Sequence, residues 1–171
     1  ISYNQLQQSS RMALGTLLES SEAANAQMDR LDAFARTSPF AKQVFITAQQ
    51  QMLAFGVETQ KVIPYLDAMQ DAVAASGGSS QMLSEVAFVI SQISAAGKIT
   101  AVDLMQLGQR GINAAELIGS QMGKTGAQIR EDITNGALGA DEALDALTAG
   151  MEQKFDGASE GLKSTFGGAM D

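Results

Sequence analysis

Apolar residues recur every three or four positions along most of the chain, and Gly or Pro interrupts this pattern at short intervals. The spacing places apolar side chains on one face of an α-helix, whereas no stretch shows the sustained alternation of a half-buried strand. Gly and Pro end helices readily, because Gly adopts left-handed backbone conformations and Pro lacks an amide hydrogen. The sequence therefore predicts an all-α protein: a long N-terminal helix followed by a compact bundle of about seven short-to-medium helices.

The N-terminal helix is predicted from small or apolar residues that alternate three and four positions apart, as in the a and d positions of a heptad. Two interpretations of this seam are open: one helix packed on its own domain, or a coiled coil between subunits. We assign residues 1–37 to this coiled-coil-like arm. The seam residues are Leu14, Leu17, Ser21, Ala24, Met28, Leu31 and Ala35.

Turn and capping residues predict the helix boundaries of the bundle, which we assign to residues 38–157. Ser38-Pro39 reads as an N-cap followed by the first helical residue, and Pro64 is expected near the first turn of the next helix. Thr100 and Asp103 form a near-capping box. Other boundaries are predicted at Gly56, Gly77-Gly78, Gly97, Gly111, Asn113, Gly123, Thr125, Gly136 and Gly139.

The remaining residues, 158–171, form a Gly-rich C-terminal tail in which Leu162, Phe166 and Met170 are four positions apart. We expect this tail to be frayed or to be completed by sequence beyond it. The first residue is Ile1 rather than Met, so we interpret the chain as a piece of a longer protein.

The composition excludes several classes of site. The chain has 171 residues, 45% of them hydrophobic, but no Cys and no His. Without these residues there can be no Ser-His-Asp or Cys-His catalytic group, no disulfide and none of the usual zinc sites. A carboxylate or Lys enzyme remains possible on composition alone. Because the candidate motifs in the sequence fit structural roles better, we predict a non-enzymatic protein with no catalytic, cofactor-binding or metal-binding residues.

The net charge of −8 argues against direct binding of nucleic acid. Residues 131–171 carry nine acidic side chains against Lys154 and Lys163, whereas residues 1–130 are nearly neutral. No run of about 18 apolar residues is present, so we expect no membrane span.

Two motifs resemble catalytic or binding elements but fit a structural role better. Gly119–Thr125 has three residues between its first Gly and Gly-Lys where a phosphate-binding loop needs four. Glu19-Ser20 and Asp103–Gln106 resemble stretches of lytic transglycosylases, but the two lie too far apart in the chain. Glu19 as the acid of a glycan-cleaving enzyme is thus an unfavoured alternative.

Other acidic and Met residues have structural explanations too. Carboxylates lie close together in the chain at Glu131-Asp132 and at Asp141-Glu142 with Asp145. Adjacent ones point in different directions on a helix, and acids in a first turn complement the helix dipole. Weak Ca²⁺ or Mg²⁺ binding is the alternative for these acids, although no EF-hand loop spacing is present. The nine Met residues fall mostly on apolar stripes and are expected to fill the core. A Met-rich groove in a protein-binding adaptor is the second alternative.

An ordered set of motifs resembles the tape measure domain in the N-terminal part of tail tape measure proteins of phages and prophages. The resemblance covers Ala54–Phe155. It is carried by Phe55-Gly56, Ile63-Pro64, Gly77-Gly78, Gln92, Gly97-Lys98, Leu104, Gln106-Leu107, Gly111-Ile112, Gly136 and Ala140–Leu144.

The resemblance implies a structural protein that occupies the lumen of the growing tail tube, helps set tail length and leaves during genome ejection. The implied partners are tail-assembly chaperones, the tail tube protein and the tail-tip or baseplate initiator proteins. The implied location is the virion tail, after assembly in the host cytoplasm. From the seam we also expect self-association through the N-terminal helix.

Overall fold

The computed structural model describes residues 2–162 and confirms the all-α prediction. A further helical turn spans residues 158–162, and no strand occurs within the described range. Phe166 and Met170 of the predicted tail lie outside that range. The helices are α1 (Tyr3–Leu18), α2 (Ser21–Arg36), α3 (Lys42–Ala54), α4 (Thr59–Ala75), α5 (Ser80–Ala96), α6 (Ala101–Gln109), α7 (Ala114–Met122), α8 (Gly126–Thr134) and α9 (Ala140–Phe155).

The prediction of one long N-terminal helix is wrong, because the chain reverses between α1 and α2. Glu19 adopts a left-handed conformation with φ 56° and ends α1. The amides of Glu19 and Ser20 both donate to the carbonyl of Gly15, and the Ser20 side chain accepts a hydrogen bond from Ala23 N to begin α2. Residues 3–36 therefore form an αα-hairpin, and α1 is only 16 residues long.

The hairpin buries most of the predicted seam within the chain itself. Leu14, Ala24 and Met28 are buried, whereas Leu17 is 41% exposed. The α1–α2 pair packs on α3. A buried amide pair joins the hairpin to α3, with Gln27 Nε2 donating to Gln49 Oε1 at 2.8 Å. The apolar stripe thus serves the internal core of the protein.

Two boundary predictions involving Pro are also wrong. The Ser38 hydroxyl accepts a hydrogen bond from Phe40 N in a short turn, and α3 begins only at Lys42. Pro64 is the sixth residue of α4, beyond the first turn. Pro64 lacks the amide hydrogen that would have bonded to the carbonyl of Gln60. Because Gln60 is exposed, water can hydrate this carbonyl instead.

Most other helix ends follow the predicted capping chemistry. Gly97 and Gly123 end α5 and α7 in left-handed conformations. Thr100 and Thr125 begin α6 and α8 with reciprocal capping boxes, in which the N3 side chain also bonds the N-cap amide.

A single hydrophobic core extends from Leu14 in α1 to Met151 in α9. Helix α9 is central to the bundle, since it packs on α4, α5 and α7. Its N-terminus is also held by Ala140 N, which donates to Gly97 O at 3.0 Å. This arrangement brings the C-terminal end of α9 beside the middle of α4.

Candidate functional site

The two stretches that resemble glycan-cleaving enzymes have structural roles. Glu19 is exposed on the turn between α1 and α2, where its left-handed backbone ends a helix. The Asp103 carboxylate accepts hydrogen bonds from Thr100 N and Thr100 Oγ1 at the start of α6. Each stretch is therefore explained by helix capping.

The loop that resembles a phosphate-binding motif is a helix end followed by a helix start. Gly123 ends α7, and Thr125 accepts a hydrogen bond from Gln128 N to begin α8. The charged group of Lys124 pairs with Asp132 at 2.6 Å. The lysine is thus engaged by the protein's own carboxylate.

One of the acids near the start of α9 belongs to a polar cluster with α4. Asp145 accepts a hydrogen bond from Tyr65 Oη at 2.5 Å and pairs with Lys61 at 3.1 Å. Burial, followed by the hydrogen bond to Asp145, raises the pKa of the Tyr65 phenol. The phenol therefore stays protonated and ties α4 to α9.

A second polar cluster, which we call the carboxylate cluster, comprises Asp67, Asp71 and Glu152. One carboxylate oxygen from each residue lies within 4.8 Å of the others. Asp67 and Asp71 are one helical turn apart on α4, and Glu152 comes from α9. The Asp71 carboxylate also accepts hydrogen bonds from Ser159 N at 3.0 Å and Ser159 Oγ at 2.7 Å.

The carboxylate cluster holds negative charge in a partly desolvated place. Burial is the main cause that raises the pKa of Glu152 to about 7, and the charges of Asp67, Asp71 and Asp156 add to it. Burial also raises the pKa of Asp67. The ion pairs found among the described residues all involve other carboxylates.

The raised pKa of Glu152 makes the stability of the fold depend on pH. The folded protein retains a proton between the ordinary pKa of Glu, near 4.5, and about 7. The free energy of unfolding therefore decreases as the pH rises through this window. Solvent screens the partly exposed carboxylate, so the loss is on the order of 1 kcal/mol.

Sequence reasoning missed the carboxylate cluster. The positions of Asp67 and Asp71, four residues apart, place them on one face of a helix. Nothing local in the sequence brings Glu152 to that face, because this contact depends on how α4 and α9 pack. We predicted no site residues because we compared only carboxylates that lie close together in the chain.

An open groove of about 710 Å³ is formed by parts of α6, α7 and α8. Its lining includes Leu104, Met105, Ile112, Arg130 and Ile133. Met105 and Met12 are both strongly exposed. Met12, on α1, borders a different groove. Met28, Met52, Met69 and Met151 are buried in the core, so the described Met residues are not gathered along one groove.

No helix in residues 2–162 combines the length and apolar character needed to cross a membrane.

No curated protein and no solved structure matches the chain. A family model described as tape measure protein matches residues 1–171, the whole chain. The chain therefore belongs to the tape measure protein family, a family of structural phage-tail proteins.

Proposed function

We propose that this chain is a non-enzymatic structural module of a phage tail tape measure protein. In this role it helps set tail length during assembly, occupies the lumen of the tail tube, and is made in the host cytoplasm. The observation that carries the proposal is the family match over the whole chain. The absence of His and Cys from the sequence is consistent with a structural role.

The fold favours an anchoring module over a measured length of rod. A helical ruler converts residues into distance at about 1.5 Å per residue. The longest described helices, α4 and α5, have 17 residues each, which corresponds to about 26 Å. The described helices fold back on one another around a shared core, so added residues would not lengthen a common axis.

The proposed partners are the tail-assembly chaperones, the tail tube protein and the tail-tip or baseplate initiator proteins. Self-association through the N-terminal hairpin would use Met12 and Leu17, the large apolar side chains that α1 leaves exposed. The division into residues 1–37, 38–157 and 158–171 stays a prediction.

Tail length measured by electron microscopy tests this proposal. We would insert a 21-residue helix-forming segment after Gly136, which lies in an exposed turn with φ 68°, where an added Cβ atom would meet nothing within 4 Å. Because the turn lies outside any rod, we expect tails of unchanged length. A measured segment would instead lengthen the tail by roughly 32 Å.

Each outcome bears on a different part of the proposal. Lengthening would contradict the anchoring role but support a ruler. Deletion of the whole gene is the control for the function itself, since we expect it to abolish tails of defined length. Tails of normal length in the deletion strain would contradict the proposed function.

A further inference from the structure

We propose that the carboxylate cluster of Asp67, Asp71 and Glu152 is a binding site for one Ca²⁺ ion, with Gln70 Oε1 as a further ligand. This site would join α4 to the C-terminal end of α9. The proposal is independent of the role in tail assembly.

The spacing of the three carboxylates suits a calcium ion. Ca²⁺ binds oxygen ligands at about 2.3–2.6 Å, so one ion can bridge oxygens that are up to roughly 5 Å apart. The cluster oxygens lie within 4.8 Å of one another. The spacing of the cluster oxygens is therefore compatible with Ca²⁺.

A buried amide beside the cluster is an independent observation that points to a bound cation. Gln70 is 4% exposed, and its Oε1 has no hydrogen-bond partner. Its Nε2 donates to Asp67 Oδ1 at 2.9 Å, which places the amide group beside the cluster. A buried carbonyl oxygen without a partner is unfavourable, because it has lost its hydrogen bonds to water. Amide carbonyls are common Ca²⁺ ligands, so an ion here would satisfy this oxygen.

Glu152 shows the same lack of a partner. Its Oε1 is buried and makes no hydrogen bond, although Asp67, Asp71 and Asp156 all repel its charge. Bringing carboxylates together in a desolvated place is unfavourable unless a cation or a proton neutralises them. A divalent cation would neutralise two of the three charges and satisfy both unpaired oxygens.

The site would also hold the segment that follows α9. Asp71 already binds the amide and hydroxyl of Ser159. Because one oxygen of Asp71 makes both hydrogen bonds, its other oxygen is available for the ion. Calcium would therefore fix α4, α9 and residues 158–162 as one unit at this end of the bundle.

Thermal unfolding of the 171-residue chain with and without Ca²⁺ tests the proposal. At pH 7.5, about 1 mM Ca²⁺ should raise Tm by roughly 5–10 °C over EDTA at matched ionic strength, if the ion binds in the micromolar range. Isothermal titration calorimetry should give one Ca²⁺ per chain. The Glu152→Gln variant removes one ligand charge without changing the side-chain shape, and should lose most of the shift.

Glu142→Gln is the matched control, because Glu142 is an exposed acid in the first turn of the same helix. It should keep the full calcium-dependent shift. Equal shifts in wild type and Glu152→Gln would overturn the proposal. The absence of any Tm response of the wild type to Ca²⁺ at pH 7.5 would also overturn the proposal, since the cluster would then bind no ion.

Discussion

Replacing Phe45 by Ala is expected to lower the free energy of unfolding by about 3–5 kcal/mol. Phe45 in α3 is fully buried and meets Phe34 of α2 edge to face, with ring centroids 5.2 Å apart. The substitution would leave a large cavity and remove an aromatic pair that joins the N-terminal hairpin to the bundle. Urea denaturation followed by circular dichroism measures the loss.

Phe88→Ala is the matched control, because the Phe88 side chain is 43% exposed on α5. We expect this substitution to cost about 1 kcal/mol, since the partly exposed side chain loses less buried contact than Phe45 does. If both substitutions cost the same, the hairpin does not pack on α3 as described.

Replacing Gly150 by Ala is expected to destabilise the protein although it improves helix propensity. A Cβ atom at Gly150 would lie 2.6 Å from Leu117 O and 3.0 Å from Leu117 C in α7. These are backbone atoms, so relief requires α7 and α9 to move apart. We expect overpacking to cost about 3 kcal/mol and the propensity gain to return about 1 kcal/mol, for a net loss of about 2 kcal/mol.

Gly108→Ala separates the effect of close packing from that of helix propensity. Gly108 lies within α6, and a Cβ atom there would meet nothing within 4 Å. The substitution should therefore stabilise the protein by about 0.5–1 kcal/mol. Stabilisation by both substitutions in denaturant melts would contradict the close approach of α7 and α9.

Local capping chemistry explains why many helix ends could be predicted from the sequence. The turn at Gly97 and the box formed by Thr100 and Asp103 depend on residues within one or two turns of each other. The same holds for Gly123 and Thr125. These signals do not depend on tertiary packing, so the sequence alone predicts them well.

The N-terminal hairpin could not be predicted in the same way. The three-four spacing continues across residues 19–20, so a single helix and two helices present the same pattern. The break depends on Glu19, which adopts φ 56° without being Gly, and on Ser20, which caps α2. Packing of both helices on a common core decides between the alternatives.

The carboxylate cluster lies beyond sequence reasoning for a different reason. Asp71 and Ser159 are 88 positions apart, and Glu152 reaches α4 only because α9 packs along it. Such long-range contacts leave no local signal. The sequence indicated the excess of acids in residues 131–171. It did not indicate that one of these acids, Glu152, lies beside Asp67 and Asp71 on α4.

Small-angle X-ray scattering tests the central claim, that this tape measure chain forms a compact module rather than a rod. At the monomer mass given by forward scattering, we expect a radius of gyration of about 15–16 Å, the value for a compact chain of this length. A rod-like profile would contradict the account. So would a radius approaching the roughly 44 Å expected for the unfolded chain.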